Sequence, residues 1–230
     1  MSTVPGGDYV YNGGGEPITL PIVVQSNEQG KILDNLFSST LGNSTVTQST
    51  APNGTVVLIG SNGETVKVFS SENTGKVVAG VLTKNDAAVI DTDKTTVIRA
   101  GTGDNQVVIQ GESKTTLNVG AGNDKVTLAT DGIGNDTVAL GNGSDKLIVS
   151  SEFQGTAIIK DFSKQDQLQI VDRTGDNKVE PGKDYTYYKA GKDTVLVLYD
   201  KAGKETTKIT LKNVKTDKVD VSSDGILTIH

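Results

Sequence analysis

A glycine-aspartate turn that returns at a nearly fixed spacing constrains this chain more than anything else in it. Lys94-Thr-Thr-Val-Ile-Arg-Ala-Gly-Thr-Gly-Asp-Asn-Gln-Val-Val-Ile109 comes back as Lys114-Thr-Thr-Leu-Asn-Val-Gly-Ala-Gly-Asn-Asp-Lys-Val-Thr-Leu128. The lysines are 20 residues apart and the glycines 19. Self-similarity on this scale marks a solenoid, because one repeat cannot bury its apolar face alone and must stack on its neighbours. A spacing near 18 corresponds to two nine-residue half-turns, one coil of a two-sheet solenoid. Four copies of one nonapeptide align, at 100–108, 119–127, 131–139 and 140–148. In each, glycine holds the second and fourth places and an acid or amide the sixth. The eighth place is apolar, as Val107, Val126, Val138 and Leu147. Residues 110–118 fit as a degenerate half-turn, with Gly111 and Leu117 in place and Thr115 where an aspartate belongs.

Composition supports an all-β chain. Aromatics make up only 4% of the 230 residues and there is no Trp, whereas Gly contributes 27. Many short strands joined by tight turns suit that balance, since Gly, Asn and Asp accept the positive φ such turns need. The expected architecture is a right-handed parallel β-roll or β-solenoid, with a β-rich N-terminal part and a C-terminal capping β-region. Strands are expected at 18–24, 55–59, 65–69, 76–82 and 95–98, and one short helix at 31–41, where Ile32, Leu33, Leu36 and Phe37 share a face. Residues 1–17, with two glycine clusters around Tyr9, Val10 and Tyr11, read as a flexible arm or an edge strand. The remaining divisions are 18–94, a β-rich or solenoid region of unassigned role, the roll at 95–158, and a cap at 159–230.

The formal net charge of −6 offers no basic stripe to neutralise phosphates, which argues against nucleic acid and for cations as partners. Cysteine is absent, so no disulfide or thiolate site braces the fold. The first residues have neither a basic nor an apolar signal region, and no stretch reaches the 18 apolar residues of a membrane span.

The turns carry a chemistry of their own. Two glycines in six residues let the backbone curl until several carbonyl oxygens face one space, and the sixth-place carboxylate closes it. Oxygen-only, flexible coordination is what calcium prefers. Stacked carboxylates also need a counter-charge, because at a few ångströms they repel by several kcal/mol at an effective dielectric of about 20. Without metal, the same residues would form plain Asx-turns. The candidate ligand positions are Gly101, Gly103, Asp104 and Asn105; Val119, Gly120, Ala121, Gly122 and Asp124; Asp131, Gly132, Gly134 and Asp136; and Leu140, Gly141, Asn142, Gly143 and Asp145.

These turns resemble the RTX, or hemolysin-type, repeat G-G-x-G-x-D-x-(apolar)-x. The segment Ile159-Lys-Asp-Phe-Ser-Lys-Gln-Asp-Gln-Leu-Gln-Ile170 is similar to the I-x-D-F-x-x-x-D-x-L-x-(apolar) run that follows RTX repeats, and later stretches from Asp184, Asp193 and Ile209 look like that family's C-terminal flank. The resemblance covers roughly 95–230. It implies that turns two half-turns apart stack and share each ion, which pairs Asp124 with Asp145 at one site. A second would pair Asp124 with Asn105 or Asp104, weakened because Asn105 lacks the charge. A third, at Asp136, is the least supported, so two or three calcium ions are expected. The resemblance further implies secretion by a type I route through an uncleaved C-terminal signal.

No catalytic constellation is legible. There is no H-E-x-x-H, no G-x-S-x-G elbow and no Walker loop, and the one histidine is the final residue, His230. Residues 172–180 read as a polar turn whose glycine is misplaced for an EF-hand. The expectation is a noncatalytic, extracellular or surface-associated structural protein that folds on calcium, with a cell-surface, matrix or virion component as partner. Two other readings stay open: a secreted enzyme or adhesin part with its activity in residues 18–95, and an ice-binding solenoid, for which only Thr102 sits in a suitable turn.

Overall fold

The computed structural model describes residues 5–74, 77–83, 85–130 and 133–230. An antiparallel hairpin of β1 (Gly7–Tyr11) and β2 (Ile18–Val24) leads into α1 (Asn27–Leu41). Of the two readings of residues 1–17, the strand is the one found at Gly7–Tyr11. Its alternation buries Tyr9 and Tyr11 against Phe37, with ring centroids 5.0 and 5.6 Å away. The helix starts four residues before the expected 31, because Ser26 caps it by accepting the Gln29 amide at 3.2 Å and Glu28 favours its positive end. Apolar periodicity alone misses that polar first turn.

Two antiparallel strands follow, β3 (Val46–Thr50) and β4 (Val56–Gly60), and β4 pairs with β5 (Thr65–Ser70). From there successive strands alternate between two sheets. After β5 the chain runs through β6 (Val77–Leu82), β7 (Ala87–Asp91), β8 (Thr95–Ala100), β9 (Gln106–Ile109), β10 (Thr115–Asn118), β11 (Lys125–Leu128), β12 (Ile133–Ala139), β13 (Lys146–Val149), β14 (Gln154–Ile159) and β15 (Gln167–Ile170). The odd-numbered strands stack in parallel in one sheet and the even-numbered in the other, giving a β-solenoid. The parallel stack therefore begins at Thr65, within the region 18–94 read as β-rich or solenoidal.

Between the sheets lies one apolar column, in which the eighth-place residues Val107, Val126, Val138 and Leu147 are all buried beside Leu117. A second core lies outside the β5 sheet. There Leu20, Ile22, Leu33 and Phe37 cover Val66, Val68, Val89 and Val108. That second cover explains why periodicity does not reveal β7: the strand is buried on both faces, so Ala87, Ala88, Val89 and Ile90 show no alternation.

From β6 to β8 the step is 18 residues, but along the recognised turns the coils are longer, 19 residues from Asn105 to Asp124 and 21 from Asp124 to Asp145. From β8 onward the glycine edge does not change, since Arg99 to Gln106, Asn118 to Lys125 and Ala139 to Lys146 are equal steps. The added residues fall on the opposite edge, between Leu128 and Ala139.

The last coil is closed by antiparallel strands. β16 (Tyr185–Ala190), β17 (Asp193–Tyr199) and β18 (Glu205–Leu211) extend one sheet, with β18 parallel to β14. On the other sheet, β19 (Val219–Val221) and β20 (Ile226–Ile229) pair beyond β15. Arg173, buried, ties cap to coil by donating to the carbonyls of Ser150, Phe153 and Tyr199 at 2.7, 2.8 and 3.2 Å. The polar turn at 172–180 is closed by Asp172, which accepts the amides of Thr174, Gly175 and Asn177. Among the described residues, no helix is long and apolar enough to cross a membrane.

Candidate metal centre

The turns at 101–105, 119–124 and 140–145 lie in one column along the glycine edge. Their backbones touch directly. Gly103 donates to the Ala121 carbonyl at 2.7 Å and Ala121 to the Gly101 carbonyl at 3.0 Å; one coil on, Gly122 donates to Asn142 at 3.0 Å and Asn142 to Gly120 at 3.1 Å. Such an approach requires glycine. Gly120 and Gly141 have φ of +89° and +87°, and a Cβ on either would overlap the carbonyl oxygen of the glycine one coil before.

Beneath this backbone layer runs a ladder of the sixth-place side chains. The Asp86 amide donates to Asn105 Oδ1 at 3.2 Å, Asn105 to Asp124 Oδ1 at 2.7 Å, Asp124 to Asp145 Oδ1 at 2.8 Å, and Asp145 to Asp166 Oδ1 at 3.0 Å. A parallel ladder joins the fifth places, with Asp104 donating its amide to Asn85, Asn123 to Asp104 and Ser144 to Asn123. Asp161 accepts the amides of Leu140 and Gly141 at 2.8 and 3.0 Å. Val119 and Leu140 place their side chains in the apolar core, so only their backbone faces the turn.

The ends of the ladder differ from its middle. Burial opposes ionisation of Asp86, but the Lys67 ammonium at 2.7 Å, together with Thr65 and Thr83, outweighs it and holds the carboxyl below its usual range. At the other end, Asp166 Oδ2 accepts the Ser163 amide at 2.7 Å. In between, Asp124 and Asp145 are each 2% exposed, and the Oδ2 of each has no hydrogen-bond partner. Burial, with the nearby Asp104 charge, pushes the Asp124 carboxyl up. Asp145 is raised to about 7 by burial and by the charges of Asp166, Asp124 and Asp161.

Sequence reasoning does not place Asp86, Asp161 and Asp166 in this edge. The offsets of Asp86 and Asp166 from the recognised turns, 19 residues before Asn105 and 21 after Asp145, are the signal that could find them. Asp131 and Gly132 lie outside the described residues. Gly134 and Asp136 are not in a turn: both belong to β12, where Asp136 points inward and accepts the Thr115 amide at 3.3 Å.

Burial pushes the Asp136 carboxyl up to about 7, and its Oδ2 also lacks a partner. An unfolded aspartate titrates near about 4, so the folded chain retains a proton that the unfolded chain has released. The stabilisation is full below the unfolded value and is lost as pH rises through about 7. In chelator, the protein should accordingly melt at a lower temperature at about pH 8 than at about pH 5. Asp136→Asn should recover roughly 1–3 kcal/mol at the higher pH. Identical pH profiles for the two proteins by thermal melting would contradict this.

Do these residues fit calcium? Among the described residues, no three acidic or histidine side chains converge on one point, so carboxylates alone do not make a site. What the glycine edge offers is an all-oxygen set, with two buried carboxylate oxygens lacking partners beside turns whose carbonyls approach closely. That set fits a hard cation bound mainly through backbone oxygens, with Asp124 and Asp145 supplying the charge. Scanned against protein-family models and against the curated proteins, the chain matches none.

Proposed function

We propose that this chain is a noncatalytic, extracellular calcium-binding structural or surface-interaction protein of the RTX type, whose solenoid is braced by calcium along the glycine edge. The observation that carries the reading is the pair of unpartnered, buried oxygens on Asp124 and Asp145, in adjacent coils of one ladder. Two buried carboxylates, each with one oxygen lacking a partner, cost stability unless they take up protons or a cation. Bound calcium would supply that missing positive charge. Asp124 and Asp145 would hold it, with carbonyl oxygens of the 119–124 and 140–145 turns. The end residues Asp86 and Asp166 already have partners for both oxygens and would close the array. An acidic chain suits a partner cation such as calcium.

Isothermal titration of the chelator-stripped full chain with calcium chloride tests this reading. The expected result is saturable binding of two ions, reduced in Asp124→Ala and Asp145→Ala and unchanged in Asp136→Ala. Heats no larger than dilution, or equal binding by all four proteins, would sink it.

A further inference from the structure

Away from the glycine edge, a cleft of about 330 Å³ opens between the β1–β2 hairpin and the opposite edge of the first coils. Five carboxylates line it, Asp8, Glu72, Asp91, Asp93 and Glu112, and no described lysine or arginine does. None of the five forms an ion pair among the described residues. The nearby Lys94 ammonium is engaged with the carbonyls of Ser71 and Asn73 at 2.7 and 2.6 Å.

A second, independent feature marks the floor. Gln110 is 4% exposed and reaches into the cleft, its Nε2 donating to the carbonyl of Val23, another lining residue, at 3.2 Å. Its Oε1 has no partner. Ser70, 2% exposed on the same wall, also has an unpartnered hydroxyl. Buried polar atoms without partners are uncommon and call for a ligand or a specific reason. Both can accept a hydrogen bond, as can all five carboxylates.

The arrangement selects among cations. No three acidic side chains converge among the described residues, which disfavours a single metal ion held by carboxylates. No aromatic residue lines the cleft, which disfavours a quaternary ammonium group, whose recognition relies on aromatic faces. Distributed acceptors suit a cation that carries several N–H donors. We infer that this cleft binds an organic ammonium or guanidinium group, supplied by an alkyl polyamine or by a lysine or arginine side chain of a basic peptide. Acceptors of one sign in a recess also raise the local concentration of such cations.

The test is isothermal titration of the calcium-saturated full chain at low ionic strength, so that the result does not depend on the glycine edge. Spermidine, an arginine tripeptide and tetramethylammonium are the three probes. Spermidine or the tripeptide should bind saturably, and the tighter of the two identifies the source. Glu72→Gln with Asp93→Asn, both at exposed positions, should weaken that binding by roughly ten-fold or more. Gln110→Ala, which removes no charge, should weaken it as well, with far-UV circular dichroism verifying the fold of each variant. The inference is overturned if neither N–H cation binds saturably, if tetramethylammonium binds as well as they do, or if the variants bind like the parent.

Discussion

Gly141→Ala should strip several kcal/mol from the stability of the solenoid, while Gly101→Ala, at the equivalent place two coils earlier, should change it little. At Gly141, φ is +87° and a Cβ would overlap the Gly120 carbonyl oxygen. The left-handed backbone alone costs an L-residue about 1–2 kcal/mol. Relieving the overlap means separating coils that sit roughly 4.8 Å apart. That movement stretches the bonds joining Asn142 to Gly120 and to Gly122. A total loss of about 3–5 kcal/mol follows, or a melting temperature lower by roughly 10 °C. At Gly101 a methyl group would meet no atom within 4 Å, and φ is not positive. Its replacement should stay within about 0.5–1 kcal/mol and can stabilise by restricting the unfolded chain. Urea denaturation of the two variants side by side decides the matter, and equal losses would mean that the coils do not stack in this register.

That contrast shows how far the sequence can be read. Period, turn composition and the apolar eighth place announce a solenoid, and the strand expected at 18–24 is found as Ile18–Val24, because each of these signals is local. The glycine edge is legible from β8 onward because its length there is constant from coil to coil. The opposite edge is not, because the two residues added before Ala139 move Gly134 and Asp136 from an expected turn into β12 without altering the motif. Long-range packing is hidden too. Nothing in Ala87–Asp91 indicates that both its faces are covered, and nothing near Asp86 indicates that Lys67 will neutralise it. At Tyr9 and Tyr11 the flanking glycines suggest looseness, while the decisive fact, Phe37 beneath them, is far along the chain.

Removing calcium is expected to have the other large effect. A ligand present at about 100 times its dissociation constant stabilises the folded state by about 2.7 kcal/mol per site. Two sites therefore contribute roughly 5 kcal/mol, equivalent to about 10–20 °C in melting temperature. The effect should be largest at about pH 8, above the value near 7 to which Asp145 is raised, because there its carboxyl is ionised and most in need of a counter-charge. Protonation at about pH 5 removes part of the repulsion and competes with metal, so the difference should narrow.

The most direct measurement is far-UV circular dichroism of the full chain during heating at about pH 8, first in EDTA and then with calcium restored in the millimolar range. The expected result is a weaker β signal or a melting temperature at least about 10 °C lower in EDTA, with recovery on adding calcium but not magnesium. Superimposable signals and melting curves in EDTA and in calcium would contradict it.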